Sequence, residues 1–362
     1  MIRLKYYIDT NMIDLSPKEK KIIDIFLKNK EFQSSYVHEE LLRVGEELSL
    51  ITVKRALSYL VKSGFLISKG SGRSVSYELT VMGRVFAEID ARQYVSIEPD
   101  KRYGLSGYNF DLLSQFPKEI FSLGELDELD RATSEYKKKA QDMSPTIQKK
   151  ELERLIIELS WKSSKIEGNT YTLLDTENLL LRNIPAVGKT EEEAQMIINH
   201  KDAFNFVHEN KNFFKIITRE KLEELHRLLV KDMHVGTGLR KSPVGISGST
   251  YKPLDNVYQI KEALDALSEA VNRMQTPYAK SCLVLLGISY IQPFEDGNKR
   301  TSRLAAGAML MSHGCAPLSY RSVDEEEYRE ATLVFYELNS MVPFKKIFVE
   351  QYNFSAKNYT AK

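Results

Sequence analysis

The sequence predicts a mainly α-helical chain: a winged helix-turn-helix of three helices plus a β-hairpin wing, then an all-α domain with a short β-hairpin flap. Three observations carry this. Apolar residues recur at helical spacing through most of the chain. Two short alternating runs flank a Gly-rich turn between residues 65 and 79. From Asn109 onward, Gly-, Ser- and β-branched-rich sequence interrupts the helical pattern only at residues 245–253. A chain of 362 residues exceeds one compact domain. The expected divisions are 1–90 for the winged helix, 91–108 for a linker marked by Pro99, Gly104 and Gly107, and 109–362 for the helical domain.

Ser16-Pro17 is an N-cap followed by proline at the first helical position, with Ile22, Ile23, Phe26 and Leu27 as the buried stripe. A second short amphipathic helix carries Val37, Leu41 and Leu42. Ser49 opens a third, with Val53, Leu57, Leu60 and Val61 at helical spacing, and Gly64 ends it. Residues 65–69 and 74–79, joined by Gly70-Ser71-Gly72-Arg73, form a hairpin with a basic tip. Beyond the linker, helices are expected at 148–162, 191–207, 219–232, 260–274, 280–291, 299–311 and 324–338.

Composition excludes more than it proposes. A net charge of +1 leaves no global electrostatic signal, so any charge-based recognition must be local. Cys282 and Cys315 lack CxxC or Cys/His spacing and read as reduced, buried thiols. The longest apolar run, residues 282–291, falls well short of the roughly twenty residues a membrane span needs. MIRLKYYIDT has no apolar h-region and no small-residue cleavage site. A cytoplasmic protein without membrane contact is the expectation.

One local charge signal lies in the winged helix. Between Ser49 and Arg84 stand Lys54, Arg55, Lys62, Lys69, Arg73 and Arg84 against Glu78 alone. The excess falls on the third helix and the wing, the elements that face a duplex in this fold. Thr52, Lys54 and Arg55 on the helix, with Lys69 and Arg73 on the wing, are the candidate DNA contacts. One half-site binds weakly, so a homodimer is expected with it. The alternative is a dimerisation or regulatory scaffold with a solvated charged face.

The richest segment is Tyr290 to Arg303, Y-I-Q-P-F-E-D-G-N-K-R-T-S-R. Pro293 stops a buried helix. An acidic turn, Glu295-Asp296-Gly297, then leads into a helix beginning near Asn298. Gly297 permits a positive φ, so successive N–H groups converge on one concavity that also receives the positive helix end. Lys299, Arg300 and Arg303 add three cations. This is an anion site suited to polyphosphate, and Asp296 is placed to hold a divalent metal on phosphate oxygens.

The segment resembles the Fic/Doc family signature, His-x-Phe-x-Asp/Glu-Gly-Asn-Gly-Arg-x-x-Arg, through Phe294, Asp296, Gly297, Asn298, Arg300 and Arg303. Ser163-Ser164-Lys165-Ile166-Glu167-Gly168-Asn169 is similar to the family's inhibitory-helix motif. Gly238-Leu239-Arg240 with residues 244–253 is similar to its target-docking flap, here Ile246, Ser247, Gly248, Ser249, Thr250 and Tyr251. The resemblance covers about residues 109–351. It implies transfer of AMP from ATP, with Mg²⁺, to a hydroxyl of a target protein. Asp296 would then hold the metal, Gly297 and Asn298 would line the anion hole, and Lys299, Arg300 and Arg303 would meet the phosphates. Ser163, Glu167 and Gly168 would form the inhibitory motif, Glu167 pairing with Arg303.

Two departures qualify this. The family's catalytic histidine is Gln292, whose amide cannot accept a proton near neutral pH; general-base catalysis is typically worth roughly 10²–10⁴-fold. None of the six histidines, His38, His200, His208, His226, His234 and His313, stands in the motif to replace it. The third motif glycine is Lys299, a change found in Doc-type members, which resemble kinases. The readings left open are a weak AMP or phosphoryl transferase restrained by Glu167, and a nucleotide- or partner-sensing pseudoenzyme that acts as a transcriptional regulator. Tyr251 either clamps a ligand or packs, and Trp161 is expected in the core.

Overall fold

The computed structural model describes residues 15–28 and 31–359. They form two compact units. One comprises residues up to 120 with 246–252 and 329–345; the other comprises 121–245, 253–328 and 346 onward. The architecture is mainly helical.

In the first unit, α1 (Pro17–Lys28), β1 (Glu31–Gln33), α2 (Ser34–Arg43), α3 (Leu50–Lys62), β2 (Leu66–Lys69) and β3 (Ser76–Leu79) follow one another. Ser49 caps α3 by accepting the Thr52 N–H. Its stripe of Val53, Ala56, Leu57 and Leu60 packs with Ile22, Phe26 and Phe65 in one core. Leu42 departs from expectation and is 46% exposed. The sheet has three strands in the order β1-β3-β2, both pairings antiparallel. β1 was not expected, because three residues are too few for alternation to register.

Short helices α4 (Val81–Val85) and α5 (Ala91–Val95) follow, then a 3₁₀ turn at Pro99–Lys101 and α6 (Asp111–Ser114). The stretch read as a linker is therefore structured, with Asp90 capping α5. Residues 245–253 read from sequence as a short hairpin or a loop; the hairpin is corrected to the loop. Residues 246–252 make a turn and one bridge, Lys252 to Gly107. Their polar groups bond outward instead of to each other: Arg329 donates to Ser247 O at 3.3 Å, Ser249 Oγ donates to Glu337 at 2.6 Å, and Arg102 donates to Gly248 O. Gly248, at φ 78°, makes the turn possible. Tyr251 is buried and stacks on Tyr336, their centroids 5.7 Å apart, so packing accounts for it.

The second unit holds α7 (Leu123–Asp142), α8 (Pro145–Lys165), α9 (Leu173–Arg182), α10 (Glu191–Glu209), α11 (Arg219–Leu229), α12 (Val257–Arg273), α13 (Pro277–Ile291) and α14 (Asn298–Ser312); α15 (Glu325–Leu338) and α16 (Val342–Asn358) complete the chain. α13 is buried around almost its whole circumference and is the central helix. It is sewn to α14 by Ser281 Oγ donating to Ala306 O and Ser289 Oγ donating to Ser302 Oγ, both at 2.9 Å. Trp161 is only half-buried; its indole N–H donates to Tyr171 O at 3.1 Å. Among the described residues, no helix is long and apolar enough to cross a membrane.

Candidate functional site

The candidate anion loop is built from the break between α13 and α14. Pro293 cannot continue a helix, and Gln292 ends α13 in the left-handed region at φ 51°. A non-glycine residue there costs of order 1–3 kcal/mol unless its surroundings hold it. Arg240, 4% exposed, supplies the hold. Its Nε donates to Gln292 O at 2.6 Å, and its backbone N–H donates to Pro293 O at 3.0 Å. The Gln292 side chain turns back on its own helix, Nε2 donating to Ser289 O at 2.7 Å.

Asn298 closes the loop. Its Oδ1 accepts the Phe294 N–H and its Nδ2 donates to Phe294 O, each at 2.8 Å. With its side chain spent on loop closure, the backbone N–H of Asn298 is the group left to line an anion hole. Gly297 is the N-cap of α14 at φ 75°. A Cβ there would meet Val230 Cγ1 at 3.3 Å and His226 Cδ2 at 3.5 Å. Beneath the loop, the His226 ring stacks on Phe294 with centroids 3.9 Å apart and an 8° interplanar angle, and Nε2 lies 2.9 Å from Asp296 O.

The cations are held in different ways. Arg300 is 1% exposed and meets Asp296 Oδ2 at 3.0 Å. Burial pulls its guanidinium below the ordinary value, partly offset by Asp296 and Glu167. Arg303 is also 1% exposed. Its Nε donates to Ser163 Oγ at 2.9 Å, and Nη2 donates to Ser163 O at 2.7 Å. Nη1 lies 2.8 Å from Glu167 Oε1, while Lys299 Nζ approaches Glu167 Oε2 at 3.5 Å. Burial alone pushes the Glu167 carboxyl up. Arg303, Lys299 and Arg300 outweigh it and hold the group below the usual carboxylate range.

Two buried histidines lie close by. Burial and the two arginines drop His200 to about 3, and burial drops His226 to about 4, so both rings are neutral near pH 7. The sequence gives both histidines no role beyond standing outside the motif, and places Arg240 only in the flap-like stretch, since no local pattern marks a contact made across the fold. Glu295 is turned to another loop, accepting the Gly236 N–H at 3.0 Å.

The fold thus brings together Ser163, Glu167, Asp296, Gly297, Asn298, Lys299, Arg300 and Arg303. Gly168 follows the turn, exposed and at φ 94°. Ile246, Ser247, Gly248, Ser249, Thr250 and Tyr251 belong to the first unit. So do the DNA candidates. Lys54 and Arg55 project from α3 into solvent, while Thr52 is half-buried and its hydroxyl bonds Ser49. Lys69 is paired with Glu78 across the wing. The side chain of Arg73 lies outside the described residues.

Residues 216–310 match the profile of the Fic/DOC family, and residues 15–98 that of the penicillinase repressor. The chain is 28% identical over 174 residues to a protein adenylyltransferase Fic of Nematostella vectensis, covering 47% of this chain and 41% of that one. A protein adenylyltransferase Fic of Drosophila willistoni is 28% identical over 171 residues, covering 46% and 34%. The chain thus matches less than half the length of these relatives. A Fic domain-containing signaling protein of Bacteroides thetaiotaomicron shares the fold at TM-score 0.55 and 20% identity, covering 64% of this chain and 94% of that one. A Fic family protein of Desulfovibrio desulfuricans aligns at TM-score 0.55 and 18% identity, covering 67% and 75%.

Proposed function

We propose that this chain, a Fic/DOC protein with a repressor-type winged helix, binds ATP at the anion loop in a site restrained by Glu167, transfers from it weakly or not at all, and couples nucleotide or target occupancy to DNA binding. The observation that carries this reading is the Glu167 carboxylate lying between Arg303 and Lys299. A carboxylate there competes for the positive charge a triphosphate needs. Restraint of this kind is useful only where a phosphate site survives.

The residues present fit the expected metal. Asp296 offers an exposed hard oxygen ligand beside the loop, and Mg²⁺ at phosphates typically takes only one or two carboxylates. When bound there, Mg²⁺ would neutralise charge on the phosphate oxygens. The chain's own groups do the rest. Backbone N–H groups at Gly297 and Asn298 donate to the phosphate oxygens. Arg300 and Arg303 grip phosphate oxygens once Arg303 exchanges Glu167 for ligand. Proton removal from a target hydroxyl is the missing function: Gln292 has no proton-accepting nitrogen, and its amide bonds Ser289 O. That bond favours the sensing reading over an active transferase.

Labelled ATP distinguishes the readings. The Glu167→Gly variant is incubated in cell lysate with label in the α- or the γ-phosphate. Transfer from α means adenylylation without the usual base, and transfer from γ means phosphorylation. No transfer by a variant that binds ATP supports the sensor, with output through Lys54 and Arg55 on α3. No ATP binding by that variant defeats the proposal.

A further inference from the structure

We propose that His226, on α11 and outside the signature, is a positioning residue that sets the anion loop by donating its Nε2–H to the carbonyl of Asp296. The inference rests on the nucleotide-site reading only for its purpose; the hydrogen bond and its consequence stand on the geometry. His226 is fully buried. Its ring is nearly parallel to Phe294 at 3.9 Å, and Nε2 is 2.9 Å from Asp296 O. A carbonyl oxygen only accepts, so this contact requires the proton on Nε2. The other nitrogen, Nδ1, is buried without a hydrogen-bond partner among the described residues, as suits an unprotonated ring position.

The consequence follows from the peptide plane. The bond between Asp296 and Gly297 is trans, so its C=O and N–H point in opposite directions. With the carbonyl drawn down to His226, the Gly297 N–H is directed the other way. It then joins the first N–H groups of α14, which have no intrahelical acceptor. Rotation of that one peptide would replace a donor with a carbonyl oxygen at the phosphate. The stack on Phe294 fixes the height of the loop, and the hydrogen bond fixes its orientation. Histidine supplies both a flat apolar face and a donor. Phenylalanine supplies only the first, and glutamine only the second.

Two measurements test this. The first is a ¹⁵N spectrum of the histidine-labelled wild-type chain, with His226→Phe assigning the signal. A neutral ring protonated on Nε2 is expected; protonation on Nδ1 alone, or on both nitrogens, overturns the proposal. The second is calorimetric titration of ATP into Glu167→Gly carrying either His226→Phe or His226→Gln. The phenylalanine variant should keep its thermal midpoint within a few degrees yet bind about tenfold more weakly, while glutamine restores affinity to within about threefold. Undiminished binding by His226→Phe, or a glutamine variant as weak as phenylalanine, overturns it. If Glu167→Gly itself fails to bind ATP, the nucleotide reading falls and the ¹⁵N spectrum alone decides the proposal. Should the phenylalanine variant fail to fold, His226→Gln assigns the signal and the spectrum decides.

Discussion

Glu167 is the carboxylate counterion of Arg303: 2.8 Å separates Oε1 from Nη1, and the guanidinium is also bound through the backbone and hydroxyl of Ser163. Glu167 follows the end of α8 and Arg303 lies in α14, so the pair joins two helices across a buried arginine. Such pairs are poor sources of net stability, but removing one partner leaves a buried charge uncompensated. Glu167→Gly should therefore lower the thermal midpoint without ligand and raise ATP affinity, by about tenfold. Saturating ATP should recover the lost degrees, because a ligand that binds only the folded state stabilises it. Calorimetry with and without ATP measures both. A variant that is destabilised yet binds no better would sink the restraint.

Acid should act on the same pair. The Glu167 carboxyl lies below its ordinary 4.5 in the folded chain. Its contribution is therefore complete above the unfolded value and lost as pH falls through the lowered folded one. Urea midpoints are expected to fall more steeply below about pH 4 in the wild type than in Glu167→Gln. Parallel slopes would contradict the assignment.

Placing a histidine at position 292 tests whether the proposed site can support transfer. In a Glu167→Gly background, Gln292→His should raise transfer of α-label by roughly 10²–10⁴-fold. The left-handed backbone at 292 is held by Arg240, so the exchange keeps the loop. Retained ATP binding with no gain in transfer would mark the site as a sensor.

On the winged helix, Lys54→Ala and Arg55→Ala should each weaken binding to DNA of the protein's own promoter and reduce the salt slope by about 1. Lys69→Ala should do less, because Lys69 is already paired with Glu78. Fluorescence anisotropy across a salt series reads these effects. Salt-independent binding would favour the scaffold alternative.

Glu337 anchors the segment resembling the flap. Its carboxylate accepts from Tyr94 and Ser249 and lies 3.4 Å from Arg102, with both ionic side chains almost wholly buried. Glu337→Ala should cost about 3–5 kcal/mol of folding stability, the expectation for breaking a buried pair. Glu337→Gln, which keeps an acceptor, should cost less. Urea denaturation followed by intrinsic fluorescence separates the two.

The winged helix was legible because its signals are local: the Ser16 and Ser49 caps, one apolar stripe per helix, and a Gly-rich turn between alternating runs. The break between α13 and α14 was legible for the same reason, since Pro293 and Gly297 lie within a few residues. β1 was not, because its partners in β3 come from more than forty positions away. The flap misled because β-branched residues between glycines look like a hairpin, whereas Arg102, Arg329 and Glu337 claim its polar groups.

Residue types and short spacings determined the helical class and the wing, and put a glutamine at 292, where the signature it resembles has histidine. The resemblance already set Glu167 against Arg303; only the tertiary structure decided the other pairings: Lys299 as the second cation on Glu167, Asn298 spent on Phe294, Gln292 folded back on Ser289, and His226 under Asp296. Caps, turns and amphipathic stripes are settled by neighbours in the chain. Counterions and hydrogen-bond partners of buried groups are settled by whatever the packing of distant helices brings within 3 Å or so, the reach of a hydrogen bond.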